Sequence, residues 1–144
     1  MTTNSLRIEA DVGQLATIRS FVREQARRAG ADPRAVPDIV QAVDESVTNV
    51  IVHGYRGGAG AVDVEVEAVG RSLVVRLRDQ APAFDPTGWP DPDTSVSLEQ
   101  WPQGGMGVFL SRELADKVTY RRTPDGNELT IVKECIDSRG GGAC

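Results

Sequence analysis

Within Val62 to Val69 polar and apolar residues alternate as far as Ala68, and a looser alternation runs from Leu73 to Arg78 beyond Gly70-Arg71. A period of two puts Val62, Val64, Val66 and Ala68 on one face of a strand and Asp63, Glu65 and Glu67 on the other. In the second run Leu73, Val75 and Leu77 alternate with Val74, Arg76 and Arg78. Such strands bury one face and leave the other to water, a habit of antiparallel sheets. The pattern therefore predicts a half-exposed hairpin with a tight turn, and the rest of the chain must supply its cover.

Helices are the expected cover. Asp11 followed by Gln14 reads as a capping box, opening a helix through Leu15, Ile18, Phe21, Val22 and Ala26 that Gly30 ends. Asp32-Pro33 restarts a helix that runs to about His53 and stops at Gly54. Leu6, Ile8 and Ala10 suggest a first strand. Two more strands are expected around Val118–Arg121 and Leu129–Val132, joined by a Pro124-Asp125-Gly126 turn. These elements predict an α+β fold: a two-layer α/β sandwich, with helices on one face of a mostly antiparallel sheet. The 144 residues suit a single domain, drawn here as 1–136, followed by a Gly-rich flexible tail over 137–144.

A net charge of −5 argues against a general nucleic-acid binder, so a polyanion would need a local device such as backbone amides or a metal ion. No stretch nears the length of a membrane span, and no apolar signal core opens the chain. The two cysteines, Cys135 and Cys144, fit reduced thiols better than a disulfide across a short Gly-rich loop. Together these features predict a cytoplasmic location.

On the second helix Ile39, Val40, Val43, Val47, Val50 and Ile51 form one apolar face. Glu45, Asn49 and His53 are spaced i, i+4, i+8 and make a polar stripe roughly opposite. Such a stripe is a solvated outer face in most helices. It also suits magnesium chemistry, because Mg²⁺ takes few protein oxygens and keeps water and phosphate as its other ligands. A Glu in reach of a γ-phosphate can accept a proton from an attacking hydroxyl.

Asp79 ends the second strand of the hairpin, where a turn-forming role is the plain reading. Beyond it, Gln80 to Gln103 is a long proline-rich segment, the length of a lid or an insert. Gly104-Gly105-Met106-Gly107 then precedes a helix through Val108, Phe109 and Leu110. Glycines there either form a hinge or let backbone N–H groups face a phosphate.

Asp44-Glu45-Ser46-Val47-Thr48-Asn49-Val50-Ile51-Val52-His53-Gly54-Tyr55 resembles the N-box of the GHKL (Bergerat-fold) ATPases, and more narrowly that of the anti-sigma-factor serine kinases of bacterial partner switching. The resemblance continues in order through Asp79-Gln80-Ala81-Pro82-Ala83-Phe84-Asp85-Pro86, similar to the G1 box, and Gly104–Gly107, similar to the G2 box. It implies the histidine-kinase-like ATPase fold, with ATP and Mg²⁺ as cofactors. By matching position, Glu45 would be the catalytic base, Asn49 the magnesium ligand and Asp79 the anchor of the adenine amino group. Ala81, Phe84, Gly104, Gly105, Met106, Gly107 and Val108 would border the nucleotide. His53 would either contact phosphate or cap the helix. The chain departs from the family where Ala81 and Ala83 replace the G1 glycines, which puts close backbone approach at Ala81 in question.

The implied activity is a serine/threonine protein kinase that phosphorylates a small anti-anti-sigma-type antagonist. A sigma factor or other output protein would be the second partner, and the kinase would be a homodimer. Gln80 to Ser111 carries no Lys or Arg, so magnesium is expected to neutralise the phosphates, with a cation from a partner as a further source. That segment also supports an alternative, a non-catalytic nucleotide-gated adaptor that sequesters a regulatory partner. Trp89 and Trp101 within it read either as lid packing or as a partner surface. The ATP-binding domain of a sensor histidine kinase fits less well, because the one histidine, His53, lies inside the nucleotide motif.

Overall fold

The computed structural model describes residues 4–56, 58–81 and 114–136. Among these, the strands are β1 (Asn4–Glu9), β2 (Ala61–Val69), β3 (Ser72–Asp79), β4 (Lys117–Arg122) and β5 (Asn127–Glu134). They form one sheet in the order β1-β2-β3-β5-β4, with every neighbouring pair antiparallel. The β2–β3 turn is possible because Gly70 takes a φ of 60°, where a side chain would be strained.

The helices α1 (Leu15–Arg28) and α2 (Val36–Asn49) supply the cover. Ile18, Val22 and Ala26 of α1 and Ile39, Val43 and Val47 of α2 are buried in one core with Val62, Val64, Val66, Leu73, Val75 and Leu77. The two-layer α+β architecture read from the alternation is the one observed. On the open face the charged residues pair across strands. Arg76 bonds Glu65 at 3.1 Å and Glu67 at 2.8 Å, and Arg78 links Glu65 at 3.1 Å to Glu128 at 2.7 Å.

Three local expectations are corrected. Asp11 does cap, accepting from the Gly13 amide at 3.0 Å, but a 3-10 turn over Val12–Gln14 separates it from α1, so there is no reciprocal capping box. Helix α2 begins at Val36, not Pro33. The Asp32 carboxylate accepts from the Arg34 amide at 2.9 Å and its carbonyl from the Ala35 amide at 2.8 Å, which holds Pro33–Ala35 as a turn; Pro37 then occupies the first helical turn. The α-helix also stops at Asn49. Val50–Gly54 is a π-helical turn, closed by a 2.8 Å bond from the Tyr55 amide to the Val50 carbonyl.

At the other end of α1 the reading holds. Gly30, at φ 87°, and Ala31 donate to the carbonyls of Arg27 and Ala26, a Schellman arrangement that satisfies the last turn. No described helix is long and apolar enough to cross a membrane. The segment from Pro82 to Glu113, with the glycine cluster and the helix expected after it, and the tail from Asp137 onward lie outside the described residues.

Candidate nucleotide site

The polar stripe of α2 is not a solvated face. Asn49 is 6% exposed, and its carboxamide has no hydrogen-bond partner among the described residues. No buried side-chain nitrogen or oxygen among the described residues is an orphan, so this carboxamide is not a stranded group. The neighbouring hydroxyls do not compete for it: Thr48 Oγ1 donates to the Asp44 carbonyl at 2.7 Å and Ser46 Oγ to the Ala42 carbonyl at 2.8 Å.

One turn earlier sits Glu45. Partial burial, and then the charge of Asp44 beside it, raise its carboxyl above the ordinary value. Asp44 itself is tied to Arg19 of α1 at 2.8 Å. Glu45 also opens into a groove of about 600 Å³ between α1 and α2, lined further by Arg19, Arg23, Val36, Val40 and Asp44. His53 lies half-buried in the π-helical turn.

At the exit of β3, Asp79 is 9% exposed and points to the core side, on the same parity as Leu73, Val75 and Leu77. Its Oδ1 accepts two hydrogen bonds, from the Ala81 amide at 2.9 Å and from Asn127 Nδ2 at 2.8 Å. Oδ2 has no partner among the described residues. Burial pushes the carboxyl upward; the Asn127 and Ala81 hydrogen bonds and the charge of Arg122 oppose it without cancelling it. Asn127 reaches this position because Gly126 has no side chain. A Cβ there would lie 1.7 Å from the Asp79 carbonyl oxygen.

Gly54 joins the two halves. A Cβ on Gly54 would stand 3.2 Å from the Ala81 methyl, so the side chain that Ala81 carries in place of a family glycine is met by a glycine opposite. Ala81 is 2% exposed, its methyl packed into protein. Tyr55 fastens the same junction: its hydroxyl accepts from the Gln80 amide at 2.8 Å and donates to the Ala61 carbonyl at 2.7 Å. The ring passes over Gly60, where a Cβ would come within 2.1 Å of it.

Of the residues assigned to the nucleotide, Glu45, Asn49 and His53 thus lie along one helical run, and its C-terminal Gly54 touches the turn that carries Asp79 and Ala81. Phe84, Gly104, Gly105, Met106, Gly107 and Val108, like Trp89 and Trp101, lie outside the described residues. Sequence reasoning gave no role to Tyr120, Arg122 or Asn127. The sign for Asn127 was legible: it shares the parity of the buried Leu129 and Ile131, an inward strand position where a polar side chain needs a reason.

A family model for the histidine kinase-like ATPase domain matches residues 8–133. The chain is also similar to serine-protein kinase RsbW of Staphylococcus aureus, 28% identical over 136 residues, which cover 89% of this chain and 84% of the relative. With the same protein from strain Newman it is 28% identical over 146 residues, covering 94% and 91%. In three dimensions it resembles the crystal structure of the RsbU and RsbW domains of Rv1364c from Mycobacterium tuberculosis, with a TM-score of 0.66 and 19% identity. That likeness, which bears on the fold, covers 93% of this chain and 32% of the longer one.

Proposed function

The chain belongs to the histidine kinase-like ATPase domain family, and on that footing we propose that it is an ATP- and magnesium-dependent serine/threonine kinase of the partner-switching type. Its substrate is a small anti-anti-sigma-type antagonist protein, and a sigma factor or other output protein is its second partner. The reading includes a cytoplasmic location, a homodimer and a single kinase domain over residues 1–136. Its support is the similarity to proteins named serine-protein kinase RsbW, together with the site chemistry.

One observation carries the proposal: a nearly buried Asn49 carboxamide, without a hydrogen-bond partner among the described residues, one helical turn from a carboxyl whose proton affinity is raised. Magnesium needs only one or two protein oxygens when phosphates and water complete its shell, and a single Asn oxygen suits that role. Oδ2 of Asp79, without a partner among the described residues, would accept from the amino group of adenine. Bound ATP would supply its γ-phosphoryl group to the hydroxyl oxygen, with ADP as the leaving group. Glu45 takes the proton of the incoming serine or threonine hydroxyl, and its raised affinity makes it a better base near neutral pH than an ordinary carboxylate. The hydroxyl approaches along the α1–α2 groove, onto which Glu45 opens.

The test is transfer of label from radiolabelled ATP to a candidate antagonist, with magnesium, by the wild type and by Glu45→Ala. Label on the antagonist from the wild type alone is the expected result. ATP binding by the wild type with no transfer to any antagonist that it captures would show a nucleotide-gated adaptor and overturn the kinase.

A further inference from the structure

Asn127 is held on both sides of its carboxamide, by groups that include two acceptors and a guanidinium. Its Nδ2 donates to Asp79 Oδ1 at 2.8 Å and to the Ala81 carbonyl at 3.1 Å. Its Oδ1 accepts from the Tyr120 hydroxyl, in a short bond, and from Arg122 Nη1 at 3.5 Å. Two acceptors beside Nδ2 and the donor-only Arg122 guanidinium beside Oδ1 allow one orientation of the carboxamide, because the reverse would set like against like, and the Tyr120 hydroxyl, able to donate or accept, donates in that orientation. Arg122 also reaches the Ala81 carbonyl at 3.3 Å, so the turn after Asp79 is gripped by the same group of residues.

The consequence falls on Asp79. Its Oδ1 is saturated by two N–H donors, both of which favour the ionised carboxylate against the burial that disfavours it. Only Oδ2 is left to meet a ligand. An ionised Oδ2 can accept a hydrogen bond and cannot donate one. It therefore suits the 6-amino group of adenine and repels the 6-oxo group of hypoxanthine or guanine. A carboxyl released from Asn127 would hold a proton more readily, and a protonated Oδ2 can donate to a 6-oxo group.

We propose that Asn127, oriented by Tyr120 and Arg122, is the specificity-determining positioning residue of this site: it holds Asp79 with a single accepting oxygen turned to the base and so selects adenine nucleotides. The inference rests on the reading that the chain binds ATP. It extends that reading to Tyr120, Arg122 and Asn127, which lie on β4 and β5, away from the motif segments.

The test is calorimetric titration of the whole chain with ATP and with ITP, each with magnesium, for the wild type, Asn127→Ala and Tyr120→Phe. The wild type should prefer ATP by about a hundredfold or more, as a site built around one hydrogen-bonding group does. Asn127→Ala should cut the ATP:ITP ratio at least tenfold, by weakening ATP and strengthening ITP. Tyr120→Phe, which removes one hydroxyl and spares the fold, should shift the ratio the same way by a few-fold. Equal weakening of both nucleotides in both variants would make the network merely structural and overturn the inference. An Asn127→Ala chain that does not fold leaves Tyr120→Phe to decide: an unchanged ratio there would also overturn it. No binding of ATP by the folded wild type would instead remove the premise, and the two failures are told apart on the wild type alone.

Discussion

Asp79 and Asn127 are direct partners across the β3–β5 ladder, and both point to the core side of the sheet, joined by a 2.8 Å hydrogen bond. Apolar residues fill the inward positions that precede Asp79 on β3 and follow Asn127 on β5, so the pair closes the hydrophobic layer with one charge and one amide. A buried carboxylate of this kind opposes folding and is retained where it meets a ligand.

Asp79→Asn tests that trade. The new side chain keeps an oxygen for the Ala81 and Asn127 N–H donors and removes the buried charge. A carboxyl raised in the fold stabilises the protein below its unfolded value, near 3.8, and that stability is lost as pH climbs through the folded value. The variant should therefore melt no lower than the wild type at pH 7 without nucleotide, while its ATP affinity falls by about a hundredfold or more. Differential scanning calorimetry and titration read the two effects separately.

Gly126→Ala should be strongly destabilising. The added methyl would fall 1.7 Å from the Asp79 carbonyl oxygen, so the β5 start must move away from β3. The expected loss is roughly 2–4 kcal/mol in urea unfolding, in the range of severe overpacking. A loss under about 0.5 kcal/mol would contradict the close approach.

Glu128 sets an acid limb of stability. Burial alone would raise its carboxyl, but hydrogen bonds from Arg78 and Arg121 outweigh burial and hold it below the ordinary 4.5. A depressed carboxyl stabilises above its unfolded value, and that contribution disappears as pH falls through the folded value. Wild type should lose more stability than Glu128→Gln between pH 6 and pH 3. The difference at pH 6 should be about 1 kcal/mol, since both arginines are well exposed.

The sheet was legible because its period is two and one face is buried: Val62 through Leu77 named their own sides, and Gly70 and Gly126 marked turns. Glu45 and Asn49 were legible as a motif, although spacing alone suggested solvent where Asn49 is buried. Helical periodicity could not reveal that Pro33–Ala35 forms a turn, because a side-chain bond from Asp32 decides it. Nor could it show that the last turn widens after Asn49. The Tyr120–Asn127–Asp79 network was out of reach, since its Asn127–Asp79 link joins residues 48 apart and exists only once β5 has paired with β3.

Phosphotransfer should fall on the acid side with an apparent pKa above the ordinary Glu value of 4.5, because burial and Asp44 raise Glu45 and only its ionised form accepts a proton. Asp44→Asn removes the second of these causes, so it should move the acid limb of the kcat profile to lower pH. A limb that stays in place would assign the titration to another group.

The central claim is most directly tested by Glu45→Gln in a single-turnover assay with saturating magnesium ATP and antagonist, beside ATP affinity measured on the same preparation. The account predicts ATP binding within about threefold of wild type and transfer slowed by roughly 10²–10⁴-fold, the usual worth of a positioned base. Transfer at the wild-type rate by a chain that binds ATP normally would contradict it.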